Sequence, residues 1–135
     1  MTCDICVLTT RDLLILRDML DRRAGGGDPL VVLLRRKIDT ARIVFGYDLP
    51  EDVATLGSRI VFRVGGALPD TRILCTEEAT HPDGIHLSVG TQRGLALLGL
   101  AEGQEMQMTA WDGGAETIRL ERVLYQPDLA GRLRA

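Results

Sequence analysis

From Thr9 to about Phe45 apolar residues recur every three or four positions, and from Ser58 onward they alternate with polar ones. That switch of period restricts the chain to two helices followed by a sheet. In the first helical stretch Leu13, Leu16 and Leu20 form one stripe with Ile15 and Met19 beside it, while Arg11, Arg17, Asp18 and Arg22 fall elsewhere. Thr9 followed by Asp12 resembles a capping box. The second stretch, from Pro29 to about Phe45, places Leu30, Leu34, Ile38, Ala41 and Phe45 on one side and Arg35, Arg36, Asp39 and Arg42 on the other.

The linker reads DRRAGGGDPL, residues 21–30. A phosphate-binding loop of the Walker type needs Lys then Ser or Thr after its last glycine, to bring a cation and a hydroxyl to phosphate and metal. Here Asp28 and Pro29 follow, an anion that repels phosphate and a dipeptide that opens a helix as N-cap and first helical residue. The glycines therefore predict a reversal, and the two amphipathic helices an antiparallel hairpin that hides both stripes. Each arm of ~15 residues would extend roughly 22 Å. Because Leu30 to Leu34 is apolar nearly all round, something besides the partner helix must cover it. The residues alone leave a projecting arm and a flat-packed hairpin equally open.

Gly46 and Pro50, in FGYDLPEDVA, end the helical pattern and set the expected domain division: 1–48 hairpin, 49–135 sheet domain. Beyond it SRIVFRV (58–64), TRILCT (71–76), IHLSV (85–89), EMQMTAW (105–111) and ETIRLERVLY (116–125) read as strands of a half-buried antiparallel sheet. TQRGLALLGL (91–100) reads as one short helix ended by Gly99, which makes the fold class α+β.

A chain of 135 residues with 45% apolar composition supports one modest core. No apolar run approaches the ~20 residues of a membrane span, and the N-terminus lacks a signal-peptide layout, so a bacterial, cytoplasmic protein without membrane contact is expected. The formal charge of −3 argues against a broad grip on duplex nucleic acid. Residues 51–135 carry twelve acids against eight basic residues, which favours a basic protein partner. Cys3 and Cys6 form C-x-x-C, but no second ligand pair accompanies them, so neither a metal nor any other cofactor is expected, and no catalytic residue. His81 and His86 are the only imidazoles.

LPEDVATLGSRIVF, IHLSVGTQRGLALLGLAEGQEM and the closing VLYQPDLAG resemble the bacterial regulators of nucleoside diphosphate kinase, relatives of the Gre transcript-cleavage factors. The likeness runs from residue 5 to 131, and its most specific parts are Gly57-Ser58-Arg59, Ala96-Leu97-Leu98-Gly99 and Tyr125-Gln126-Pro127. It implies a short N-terminal coiled coil and a C-terminal domain like the FK506-binding proteins, together docking at the secondary channel of RNA polymerase. Nucleic acid would be touched only indirectly, within the transcription complex.

The resemblance assigns polymerase contacts to the hairpin tip, Asp18, Asp21, Arg22, Arg23 and Asp28, and to the C-terminal loop, His86, Thr91, Gln92 and Arg93. Thr91-Gln92 replaces the Ser-Pro usual in Gre factors, and Gly103-Gln104 replaces Gly-Asp. Gre factors present carboxylates at the tip of a long hairpin to help hold a catalytic metal. Here the arm is about half that reach, by the same rise per residue, and its tip mixes Arg22 and Arg23 with Asp21 and Asp28. A monomeric channel occupant without cleavage activity is expected. The alternatives are a Gre-type cleavage factor, a prolyl isomerase, for which five aromatics are a thin supply, or an unrelated interaction module.

Overall fold

The computed structural model describes residues 6–23, 27–78, 84–109 and 112–127. Cys3, His81 and Trp111 lie outside the described residues, so the predicted C-x-x-C is represented by Cys6 alone.

The chain begins with a short strand, β1 (Val7–Thr9), then two helices, α1 (Thr10–Arg22) and α2 (Pro29–Thr40), and a second short strand, β2 (Arg42–Val44). β1 and β2 pair in parallel, with Leu8 opposite Ile43. A parallel pair needs a crossover, and the two helices supply it. Both predicted caps form: the Thr9 hydroxyl accepts from the Asp12 amide at 3.0 Å, and the Asp28 carboxylate from that of Leu30 at 2.9 Å. α2 stops at Thr40, earlier than its periodicity suggested, because Ala41 turns extended and Arg42–Val44 pair with β1. Phe45, placed by periodicity on the helical stripe, is instead more than half exposed and stacks on Tyr47.

The sheet has the order β5-β4-β3-β7-β6, built from β3 (Arg59–Val64), β4 (Asp70–Cys75), β5 (His86–Ser88), β6 (Glu105–Thr109) and β7 (Ala115–Tyr125). All five predicted strands are present. Their pairing is antiparallel except between β4 and β5, which run parallel, a departure from the expected uniform pattern. Between β5 and β6 lies α3 (Gln92–Leu97), the predicted short helix. Gly94 is where α3 meets the sheet, since a Cβ there would fall 2.0 Å from the Ser88 carbonyl oxygen.

The helices and the sheet share one core. Leu16 and Met19 of α1 and Leu30, Leu33 and Leu34 of α2 belong to the same buried cluster as Leu95 and Leu97 of α3 and Ile60, Phe62, Ile118 and Leu120 of the sheet. Of the two arrangements that the residues left open, the projecting arm is not the one found: the helix pair lies flush. The physical cause is the all-round apolar start of α2. One side faces α1 and the other needs cover, which the sheet and α3 provide.

A buried lysine fixes this arrangement. Lys37, on α2, is fully enclosed, and its ε-amino group donates to the carbonyls of Ala96, at 2.9 Å, and of Leu98, with the Cys6 sulfur at 3.4 Å. The carbonyls at the end of α3 have no donors within their own helix, so a side chain from α2 supplies them. Next to this joint Gly99 adopts φ +89°, where a Cβ would press on Leu8 and Cys6 of the β1 segment at 3.0–3.1 Å.

Candidate protein-binding face

The helix tip is held against the segment that follows β4 by ion pairs. Arg23 forks onto Glu77, with Nη1 at 3.1 Å from Oε1 and Nη2 in contact with Oε2. Arg22 reaches Asp18 at 3.1 Å, Glu78 at 3.3 Å and Glu77 at 3.5 Å. The hydrogen bond from Arg23 holds the Glu77 carboxyl below its ordinary value; partial burial opposes this, and the charges of Arg23 and Arg22 reinforce it. The same pair raises Arg23. Arg23 also donates to the Met19 carbonyl at 3.3 Å, closing the end of α1. Of the five residues assigned to the tip, Asp18, Arg22 and Arg23 thus belong to an internal network, Asp28 is a helix cap, and Asp21 is exposed.

The C-terminal loop residues divide between two places. Thr91 caps α3: its hydroxyl donates to the Ser88 carbonyl at 2.6 Å and accepts from the Gly94 amide at 3.2 Å. Gln92 accepts from the Thr109 amide at 3.2 Å, which ties α3 to the edge strand β6. Arg93 forks onto Glu116 at 3.2 and 3.3 Å in an exposed setting. His86 stands apart from these three, on a cleft beside Arg11 and Ile73.

Gln92 and the start of α2 line one groove of about 250 Å³, with Pro29, Val32, Arg36, Gln107 and Thr109. Val32 is 59% exposed there, and Arg36 spans from α2 to the Gln107 carbonyl at 3.1 Å. An exposed apolar side chain among amide and guanidinium groups suits a protein surface better than a small substrate. Of the residues to which the sequence assigned polymerase contacts only Gln92 lines this groove; its α2 wall, Pro29, Val32 and Arg36, was not among them. Sequence reading also missed Glu77 and Glu116, whose partners lie 54 and 23 residues away. Lys37 did leave a signal: a lysine on the apolar stripe, four residues after Leu33 and four before Ala41.

Among the described residues no group of three His, Cys, Asp or Glu could hold a metal ion, and no helix is long and apolar enough to cross a membrane.

No family model matches the chain. A solved prokaryotic transcription elongation factor GreA/GreB from Nitrosomonas europaea aligns with a TM-score of 0.66 and 26% identity, covering 89% of this chain and 98% of that one. The mixed α+β fold, three helices on a curled sheet, is accordingly that of the GreA/GreB-like transcription elongation factors. The regulator of nucleoside diphosphate kinase of Escherichia coli K12 is 30% identical over 114 residues, 84% of either chain, and the protein of the same name in Shigella flexneri matches to the same extent. The chain belongs to the family of the regulator of nucleoside diphosphate kinase.

Proposed function

We propose that this chain binds RNA polymerase at the rim of the secondary channel and alters transcription without stimulating transcript cleavage. The observation that carries the reading is the groove in which the start of α2 and the Gln92 loop converge, in a chain of Gre-like fold. Of the residues assigned to polymerase by resemblance only Gln92 lines this groove, beside Pro29 that follows Asp28, and one rigid surface engages a partner at lower ordering cost than two hinged parts. The division near residue 48 becomes a division of labour, with an FK506-binding-protein-like sheet domain gripping the rim and the helix pair folded beside it. Competition with Gre factors for the rim is the mechanism, and control of nucleoside diphosphate kinase, from which the relatives take their name, is its expected consequence.

Absence of cleavage follows from the tip chemistry. Asp28 caps α2 at the Leu30 amide and Asp18 pairs with Arg22, while Arg22 and Arg23 add two cations to the same end of the helix pair. Such mixed charge does not assemble a metal site. Among the described residues the aromatic side chains do not converge as an isomerase pocket requires: Phe62 is buried in the core, Phe45 and Tyr47 stack on each other, and Tyr125 is exposed on β7.

The test is binding to core polymerase in competition with a Gre factor, alongside RNA shortening in a stalled complex. Displacement of the Gre factor with no shortening is expected, and Val32→Glu should weaken binding. No displacement at saturating protein, or shortening that Asp21→Ala or Asp28→Ala abolishes, would overturn the proposal.

A further inference from the structure

We infer that the cleft between α1 and the β4–β5 end of the sheet is a second docking site, which takes a short segment of a partner protein in which an apolar side chain is followed by a carboxylate. The cleft has a volume of about 490 Å³. Ile15, Leu56, Ile73 and Leu74 give it apolar walls, and Arg11 brings a guanidinium to it, with its side chain 55% exposed. Among the described residues, none that lines it is acidic. The two hydrogen bonds of Arg11, to the Leu56 carbonyl and to Asp12, are both long at 3.5 Å, and Asp12 itself is buried and takes the Thr55 hydroxyl. The nearest acid in sequence to the lining Thr76 is Glu77, which Arg23 holds.

A guanidinium over an apolar slot selects an apolar group that carries an anion, because the forked donor set matches a carboxylate and the slot excludes water from the contact. The surroundings specify a peptide. Leu14, on the same helical face as Arg11 and Ile15, is 67% exposed, and Ile85, whose carbonyl accepts from the Ile73 amide at 2.8 Å, is 54% exposed. Apolar surface thus continues beyond the slot on both sides, and a chain can lay further side chains on it while a free small molecule leaves it in water. The site is separate from the groove at α2, so its success or failure is independent of the polymerase reading.

The experiment titrates capped heptapeptides, with a central Leu or Phe followed by Asp, Glu, Gln or Lys, into the isotope-labelled full chain and follows amide shifts. Expected are shifts at Leu56, Gly57, Ile73 and His86, with acidic peptides binding at least about tenfold tighter than lysine peptides. Arg11→Glu should reverse that order, Arg11→Lys keep it, and Arg17→Glu leave it unchanged. Ile85→Ser should weaken the peptides but not octanoate, which keeps the proposal testable should Arg11→Glu fail to fold. The inference is overturned by an absence of cleft shifts with every peptide, by equal affinity for acidic and basic peptides, by octanoate binding there as tightly as the best peptide, or by protein-concentration-dependent cleft shifts without peptide, which would mark a second copy as occupant.

Discussion

The helix pair is attached to the rest of the molecule at two ends by opposite means. At its root Lys37 is wholly enclosed and donates to two carbonyls of α3, whereas at its tip Arg22 and Arg23 pair with Glu77 and Glu78 within reach of water. A desolvated hydrogen-bonding joint does not respond to salt and is costly to break. Exposed or half-exposed ion pairs are screened and worth little. The root therefore decides whether the helices stay on the sheet, and the tip adjusts how firmly their far end is held.

Removing the root should have the largest effect. Lys37→Ala strands two buried carbonyls and leaves a cavity, a loss of about 3–5 kcal/mol readable by denaturant unfolding. Lys37→Met refills the space without the donors and should cost about 1–3 kcal/mol. A loss under about 1 kcal/mol for Lys37→Ala would mean that the joint does not hold the helices. Next comes Gly94→Ala, whose methyl group would collide with the Ser88 backbone and should cost about 2–3 kcal/mol, seen as a lower Tm.

The tip should matter least. Glu77→Gln or Arg23→Gln is expected to cost about 0.5–1 kcal/mol in low salt and almost nothing in 1 M salt, read from paired unfolding curves. The pH dependence has a definite sign. Because the folded Glu77 carboxyl lies below its ordinary value of 4.5, its contribution is complete above that value and is lost as pH falls toward the folded value. Wild type and Glu77→Gln should therefore differ at neutral pH and converge in acid; a gap that widens in acid would assign the pair the wrong role.

Local chemistry was well written in the sequence. The Thr9 and Asp28 caps, all three helices and the five strands of the sheet follow from period and capping, because those signals act over a few residues. The flush packing was not legible, since an apolar helix start reports that cover is needed but not what supplies it. The parallel pairings, β1 with β2 and β4 with β5, were hidden for a related reason: a three-residue strand has too little period to announce a partner. Of the candidate site, the groove between Pro29 and Gln92 joins positions more than sixty residues apart, and no local pattern encodes that meeting.

The motifs that carried the family resemblance turn out to be joints. Gly57 lies against Pro127, Arg59 pairs with Tyr125, and the Gln126 amide donates to the carbonyls of Pro50 and Val53 at 2.7 and 2.8 Å. Ala96 and Leu98 receive Lys37. These residues specify how the parts meet, and the surface beside them is where function is proposed.

The most direct test of a helix pair that works while folded back is to lock it there. In a Cys3→Ser background, Arg23→Cys and Glu77→Cys are joined by a short, reductively cleavable bismaleimide, and binding to core polymerase is measured before and after release. The folded-back arrangement predicts a Kd unchanged within about twofold and retained competition with a Gre factor, a difference under about 0.4 kcal/mol. Loss of binding in the locked protein, restored on cleaving the linker, would show that the helices must leave the sheet to act and would contradict the account.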